Sequence, residues 1–342
     1  LTLEICSIIL KSKMKVSERY TWIDCIKGIG IFLVVLGHIY KDNYIGLWIY
    51  SFHMPLFFML SGYLMYAKSV DWKCGGASYL TRKSKTLLWP FILFRVLLVG
   101  YWYVVESKFR EVDLGPIWFL LVLYLVEVIT FPIVSQFRKL KGLLLFVFSF
   151  SLLFLGAREY TSFGWLLMWC NASVWFVIGM LLKSIEGKYV KGYSKNICIV
   201  LCFLFIGVSA FAPMLNGNVS VFSSVTNNFL LYLFFGIIGT VLIGIFCKIF
   251  VVHNKVIEYC GVYSIIILAI HEPIKRILMK VIMMGGEKIG FAITKDSFSE
   301  NYLLGMLLCL IVMACCVPVI TMLSGLKRRM GKIGAFVFEF IK

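Results

Sequence analysis

Apolar residues in this chain neither alternate as in a half-buried strand nor recur at the spacing of a surface helix. They run in long, nearly unbroken blocks. Ten blocks approach or exceed the length needed to cross roughly 30 Å of hydrocarbon as a helix: 22–40, 47–67, 87–105, 117–134, 143–157, 163–182, 197–213, 229–247, 256–271 and 302–325. The fifth and ninth are the shortest. The pattern predicts an all-α polytopic membrane protein of about ten transmembrane helices, without repeats, low-complexity tracts or a soluble domain. The longest connection, 272–301, contains Gly285-Gly286 and mixed charges, and is expected at the outer surface as partly helical re-entrant structure.

Charge orients these spans. Counting Lys and Arg against Asp and Glu, the connections 68–86, 135–142, 183–196 and 248–258 and the end 327–342 carry +4, +3, +3, +1 and +4. The alternate set, 41–46, 106–116, 157–162, 214–228 and 272–301, carries 0, −1, 0, 0 and +1. Basic connections stay on the cytoplasmic side, so both termini are expected there. Three parts follow: a cytoplasmic segment 1–21, a transmembrane domain 22–325 and a basic cytoplasmic tail 326–342. Met14-Lys15 has the form of a start, which makes 1–13 read as an appended segment, and no small-residue cleavage site follows it.

Composition agrees. Of 342 residues, 61% are hydrophobic and 15% charged, and the mean hydropathy of +0.92 excludes a water-soluble globule. The net charge of +17 would suggest nucleic acid in a soluble protein, but here topology explains it without such a partner. Eleven cysteines, among them Cys198, Cys202, Cys309, Cys315 and Cys316, fall in apolar runs without metal spacing and read as small apolar residues.

Ionisable residues inside a span are expensive, and each marks a candidate site. The first span holds Asp24, Lys27 and His38. The 11 residues from Lys27 to His38 amount to three turns and about 20°, so both lie on one face, roughly 16.5 Å apart. Asp24 can pair with Lys27, and snorkelling at the span ends is the plainer alternative. By helix rise, His53 lies roughly 9 Å below the outer end of the second span, His38 roughly 4–5 Å below that of the first, and His271 a few Å below that of the ninth. Three of the four histidines thus share a depth, and the fourth, His253, is expected in solvent on the cytoplasmic side. No HxH or HxxxH spacing supports a metal, so none is expected, and a neutral imidazole acting as base on a hydroxyl is preferred. Trp118 opens the fourth span. Glu127 lies about 13–14 Å further in, and either contacts an acceptor or pairs with Arg95. Ser264 is expected to bond backbone.

At these residues the chain resembles the integral-membrane acyltransferase type 3 family. The first helix, Trp22-Ile23-Asp24-Cys25-Ile26-Lys27-Gly28 leading to Gly37-His38, is similar to that family's acidic–basic–Gly and Gly–His pattern. Phe52-His53-Met54-Pro55-Leu56-Phe57-Phe58 with Ser61-Gly62-Tyr63 resembles the fucose 4-O-acetylase-like branch. Arg82-Lys83-Ser84-Lys85 before Trp89-Pro90, Trp118-Phe119-Leu120, and Tyr259-Cys260-Gly261 to Ser264 and His271 follow in family order. Lys27 stands where Arg is commoner, and Lys lacks the bidentate phosphate clamp.

The resemblance implies transfer of acetyl from cytoplasmic acetyl-CoA to a hydroxyl of a cell-envelope or exported carbohydrate, polymeric or lipid-linked, in a bacterial cytoplasmic membrane. In that scheme His38, with Asp24 and Lys27, is catalytic. Lys27, Arg82, Lys83 and Lys85 face the CoA phosphates, and His53, Trp118, Glu127, Ser264 and His271 serve the acceptor. The alternative is a transporter or flippase of an envelope glycan precursor, because charged spans also mark translocation paths.

Overall fold

The computed structural model describes residues 21–341 apart from 42, 68–71, 107–113, 138, 161–163, 190–193, 252–253, 332–333 and 335–336. Residues 1–20 of the expected N-terminal segment and His253 lie outside the described residues. The chain is all-α. Eight helices run in order, α1 (Thr21–Ile39), α2 (Tyr44–Ala67), α3 (Gly76–Glu106), α4 (Gly115–Phe137), α5 (Leu140–Arg158), α6 (Gly164–Glu186), α7 (Lys195–Asn216) and α8 (Phe229–Val251). They are followed by α9 (Lys255–Val262), α10 (Ser264–Lys288), the short α11 (Ser297–Glu300) and α12 (Tyr302–Arg329).

Among the described residues nine helices, α1 to α8 and α12, are long and apolar enough to cross a membrane, so this is an integral membrane protein with multiple spans. The expected ninth span, 256–271, is not a single apolar helix. The chain breaks at Tyr263 (φ −100°, ψ 17°) between α9 and α10, and α10 continues to Lys288. The apolar run stops at His271 because charges begin there, whereas the helix does not stop. Much of the connection expected as re-entrant structure, 272–301, is therefore the polar half of α10, followed by a turn and α11.

α1 and α6 are the most enclosed of the nine, while α3, α7 and α12 present rows of exposed apolar side chains, including Val96, Val104, Val200, Phe203, Leu303 and Leu310. Such rows are satisfied by lipid tails. Two crossings demand glycine. A Cβ on Gly261 of α9 would stand 1.7 Å from the Asp24 carbonyl oxygen, and one on Gly28 of α1 would stand 2.0 Å from that of Ile257, so α9 and α1 touch backbone to backbone. Gly62 and Gly179 do the same where α2 crosses α6, with clashes of 1.8 and 1.9 Å against Phe176 and Met59 oxygens. The first crossing fixes α9 on α1, and with it the start of α10. The second holds α2 beside the enclosed α6.

The C-terminal residues are not a loose tail where described. Trp89 Nε1 donates to the Val337 carbonyl at 2.8 Å, Lys85 pairs with Glu339 at 3.3 Å, and Phe338 is buried.

Candidate active site

On α1, Lys27, Ile31, Val34 and His38 step by four, three and four residues and so form one stripe along the helix. At the Lys27 end the charge is shared with Asp24, whose Oδ1 lies 3.5 Å from Lys27 Nζ. Asp24 is buried, and α9 lies against its carbonyl. Above Lys27 a small apolar slot of about 40 Å³ is lined by Ile31 and Val34 with Met54, Phe57, Ser264 and Leu268, among others. Ser264, the first residue of α10, thus faces apolar neighbours. Val34, Met54 and Leu268 also border a second, larger cavity.

That cavity measures about 880 Å³ and gathers residues of α1, α2, α3, α4 and α10 with the 218–223 and 295–299 segments. His38 and His53 stand in its wall with Tyr50 and Trp118. The His38 and His271 rings lie 5.2 Å apart, and Tyr50 meets His53 at 4.8 Å and His38 at 6.4 Å, so one aromatic ring links the other two. Helix packing thus brings together the three histidines that share a depth in the sequence.

Their chemistry is set by backbone. His53 Nδ1 lies 2.9 Å from the Ile49 carbonyl and His271 Nδ1 lies 3.0 Å from that of Ile267. A carbonyl only accepts, so in each ring Nδ1 carries the hydrogen and a neutral ring keeps its lone pair on Nε2. The His271 Nε2 is buried and has no hydrogen-bond partner among the described residues. Among these residues no group of three His, Cys, Asp or Glu side chains is placed to hold a metal ion.

Beside the histidines sits a charge cluster that the apolar pattern alone does not reveal. Glu272 lies 2.7 Å from Lys275 Nζ and 2.8 Å from Arg276 Nε, and Lys275 also donates to the His38 carbonyl at 3.1 Å. This last bond satisfies a terminal carbonyl of α1 and ties the His38 end to α10. Arg276 stacks 4.6 Å over Trp102, and Lys280 reaches Glu106 at 3.1 Å, which fastens α3 to the same helix. The signal was available in the i, i+3, i+4, i+8 spacing of Glu272, Lys275, Arg276 and Lys280, a helical stripe continuing beyond His271.

Several expected site residues stand elsewhere. Glu127 is buried away from the cavity and ion-paired with Lys83, and it accepts a hydrogen bond from Tyr79 at 3.3 Å. The expected Arg95 partner instead lines the cavity. Glu127 and Lys83 meet because α3 and α4 each widen into a π-helical turn there, Ser84–Leu88 and Val126–Thr130, with Ser84 Oγ 3.0 Å from the Tyr124 hydroxyl. Lys83 and Lys85 are thus both engaged by carboxylates, while Arg82 is exposed and lies 5.6 Å from the Tyr79 ring centre. Trp118 is mostly buried, packed on Phe222 at 5.4 Å and on Phe58 at 6.4 Å. Phe222 belongs to a loop anchored by Asn216, whose oxygens accept from Asn227 and Asn228 at 2.7 and 2.8 Å.

The acyltransferase 3 family model, described as an acyltransferase domain, matches residues 20–323, nearly the whole chain. No curated protein and no solved structure matches it.

Proposed function

Since this chain belongs to the acyltransferase 3 family and is a membrane-bound acyltransferase, we propose that it moves acetyl from acetyl-CoA, bound at the Lys27 end, to a carbohydrate hydroxyl in the cavity at the His38 end. The observation that carries this reading is the position of His38, which closes the stripe begun by Lys27 and stands in the wall of the large cavity. The donor is anionic at one end and reactive at the other, and the stripe offers a cation at one end and an imidazole at the other. Lys27 and the exposed Arg82 serve the phosphates. Apolar side chains, Ile31, Val34, Met54 and Leu268 among them, line the stripe between the two ends, as an uncharged arm requires.

His38 takes the proton of the acceptor hydroxyl as its oxygen attacks the thioester carbonyl carbon. Negative charge gathers on the carbonyl oxygen, and the ammonium of Lys275, held at the His38 carbonyl, supplies a fixed positive field there. The C–S bond then breaks, and the CoA thiolate leaves and receives the proton from His38. His271, whose ring lies 5.2 Å from that of His38, orients the His38 ring by packing against it, and His53 with Tyr50 shapes the acceptor side. The sequence resemblance to the fucose 4-O-acetylase-like branch supports a sugar acceptor. The alternating charge of the connections supports placing the Lys27 end in the cytoplasm of a bacterial cell, with the acceptor at the opposite face.

Membranes containing the protein, given acetyl-labelled acetyl-CoA and envelope carbohydrate, are expected to move label into the carbohydrate, and membranes lacking it are not. Glycan crossing the membrane without label would overturn the reading in favour of a transporter.

A further inference from the structure

We propose that the acceptor held in the large cavity is an anionic carbohydrate, an inference that rests on the acyl-transfer reading above. Six basic residues, Lys41, Arg95, Lys275, Arg276, Lys280 and Lys295, border this cavity against three acidic ones, Glu106, Glu272 and Asp296, an excess of three positive charges. The acids do not cancel that excess where it matters. Glu272 is shared between two cations and Glu106 is taken by Lys280. Lys41, three residues past His38, and Lys295, at the mouth formed by the 295–299 segment, are exposed and ion-paired with no described residue. The surplus therefore sits around the space that the acceptor occupies.

Exposed lysines at the end of a membrane helix are commonplace, so number alone would carry nothing. Two further observations point to a ligand. Lys275 is 8% exposed and shares the single carboxylate of Glu272 with Arg276, so one positive charge of this trio is left without a counter-charge, which is costly unless an anion joins it. If this end faces away from the cytoplasm, cations here also run against the bias that orients membrane proteins. Trp102, beneath Arg276, and Trp118, against Phe222, border the same space. Its volume of about 880 Å³ admits more than a single sugar. A carboxylate or a phosphate on the glycan supplies the matching charge.

The test uses the purified full chain in lipid nanodiscs with acetyl-labelled acetyl-CoA and the source cell's envelope carbohydrate, followed by separation on an anion exchanger. Label is expected in the retained, anionic fraction. Reducing the carboxylates of the extract beforehand removes that label if a carboxylate is read, and hydrofluoric acid dephosphorylation removes it if a phosphate is read. Label confined to the unretained, neutral fraction would overturn the inference while leaving acyl transfer intact. No label in any fraction would overturn both. The double variant Lys41→Gln/Lys295→Gln is expected to raise the KM for the retained acceptor about fivefold, with a weaker salt dependence than the parent. An unchanged KM and salt dependence would contradict the role of these cations.

Discussion

Replacing His38 with Gln is expected to slow acetyl transfer by about 100- to 10,000-fold, the usual contribution of a positioned general base, while the yield of folded protein and the binding of acetyl-CoA stay at parent levels. The ring stands in the cavity wall, and its nearest structural tie to α10 runs through its backbone carbonyl to Lys275, which the substitution leaves in place. The loss should therefore appear in kcat. Replacing His271 with Asn is expected to cost less, because it removes the group that orients the base and not the base itself. Its Nδ1 bond to Ile267 is local to α10, so folding is preserved there as well. A His38→Gln protein that transfers acetyl at the parent rate would remove His38 from the chemistry.

The largest effect on stability is expected at Lys83. Its ammonium pairs with Glu127, a carboxylate buried between α3 and α4 that among the described residues is otherwise bonded to Tyr79. Lys83→Met leaves that carboxylate without its cation, and breaking a buried pair from one side costs about 3–5 kcal/mol. Glu127→Leu strands the lysine and is expected to cost less, since Lys83 is more exposed than its partner. The double variant Lys83→Met/Glu127→Leu removes both charges and should recover most of the loss, because well-packed apolar side chains replace buried pairs at little cost. Unfolding of the purified proteins in detergent, followed by tryptophan fluorescence, measures all three. A Lys83→Met protein as stable as the parent would show that the pair contributes nothing.

The all-α membrane architecture was legible from apolar runs because bilayer thickness sets helix length directly, and nine of the ten expected blocks correspond to α1 to α8 and α12. The α9–α10 region shows where that signal stops. An apolar-run criterion ends at the first charge, yet α10 continues past it and carries Glu272, Lys275 and Arg276 to the cavity. Depth along a helix is a local quantity, and the three histidines were placed at one level from sequence alone. Side-chain partners are not local. Glu127 and Arg95 sit on adjacent helices, but the π-helical turns of α3 and α4 turn Lys83 toward the carboxylate, and no spacing rule in one sequence anticipates that rotation. Tyr50 and the 218–223 loop escaped notice for a similar reason, since ordinary residues acquire a place in the site only when distant helices close around them.

In the proposed reaction, donor and acceptor approach His38 from opposite ends of the bundle. Sealed inside-out vesicles, whose outer surface is the cytoplasmic face, test it most directly when loaded with acceptor carbohydrate and given acetyl-labelled acetyl-CoA outside. Label is expected on carbohydrate inside the vesicles, protected from added hydrolases, and not on carbohydrate supplied outside. Label appearing only on external carbohydrate would mean that both substrates meet on the cytoplasmic face, and would contradict the two-ended site.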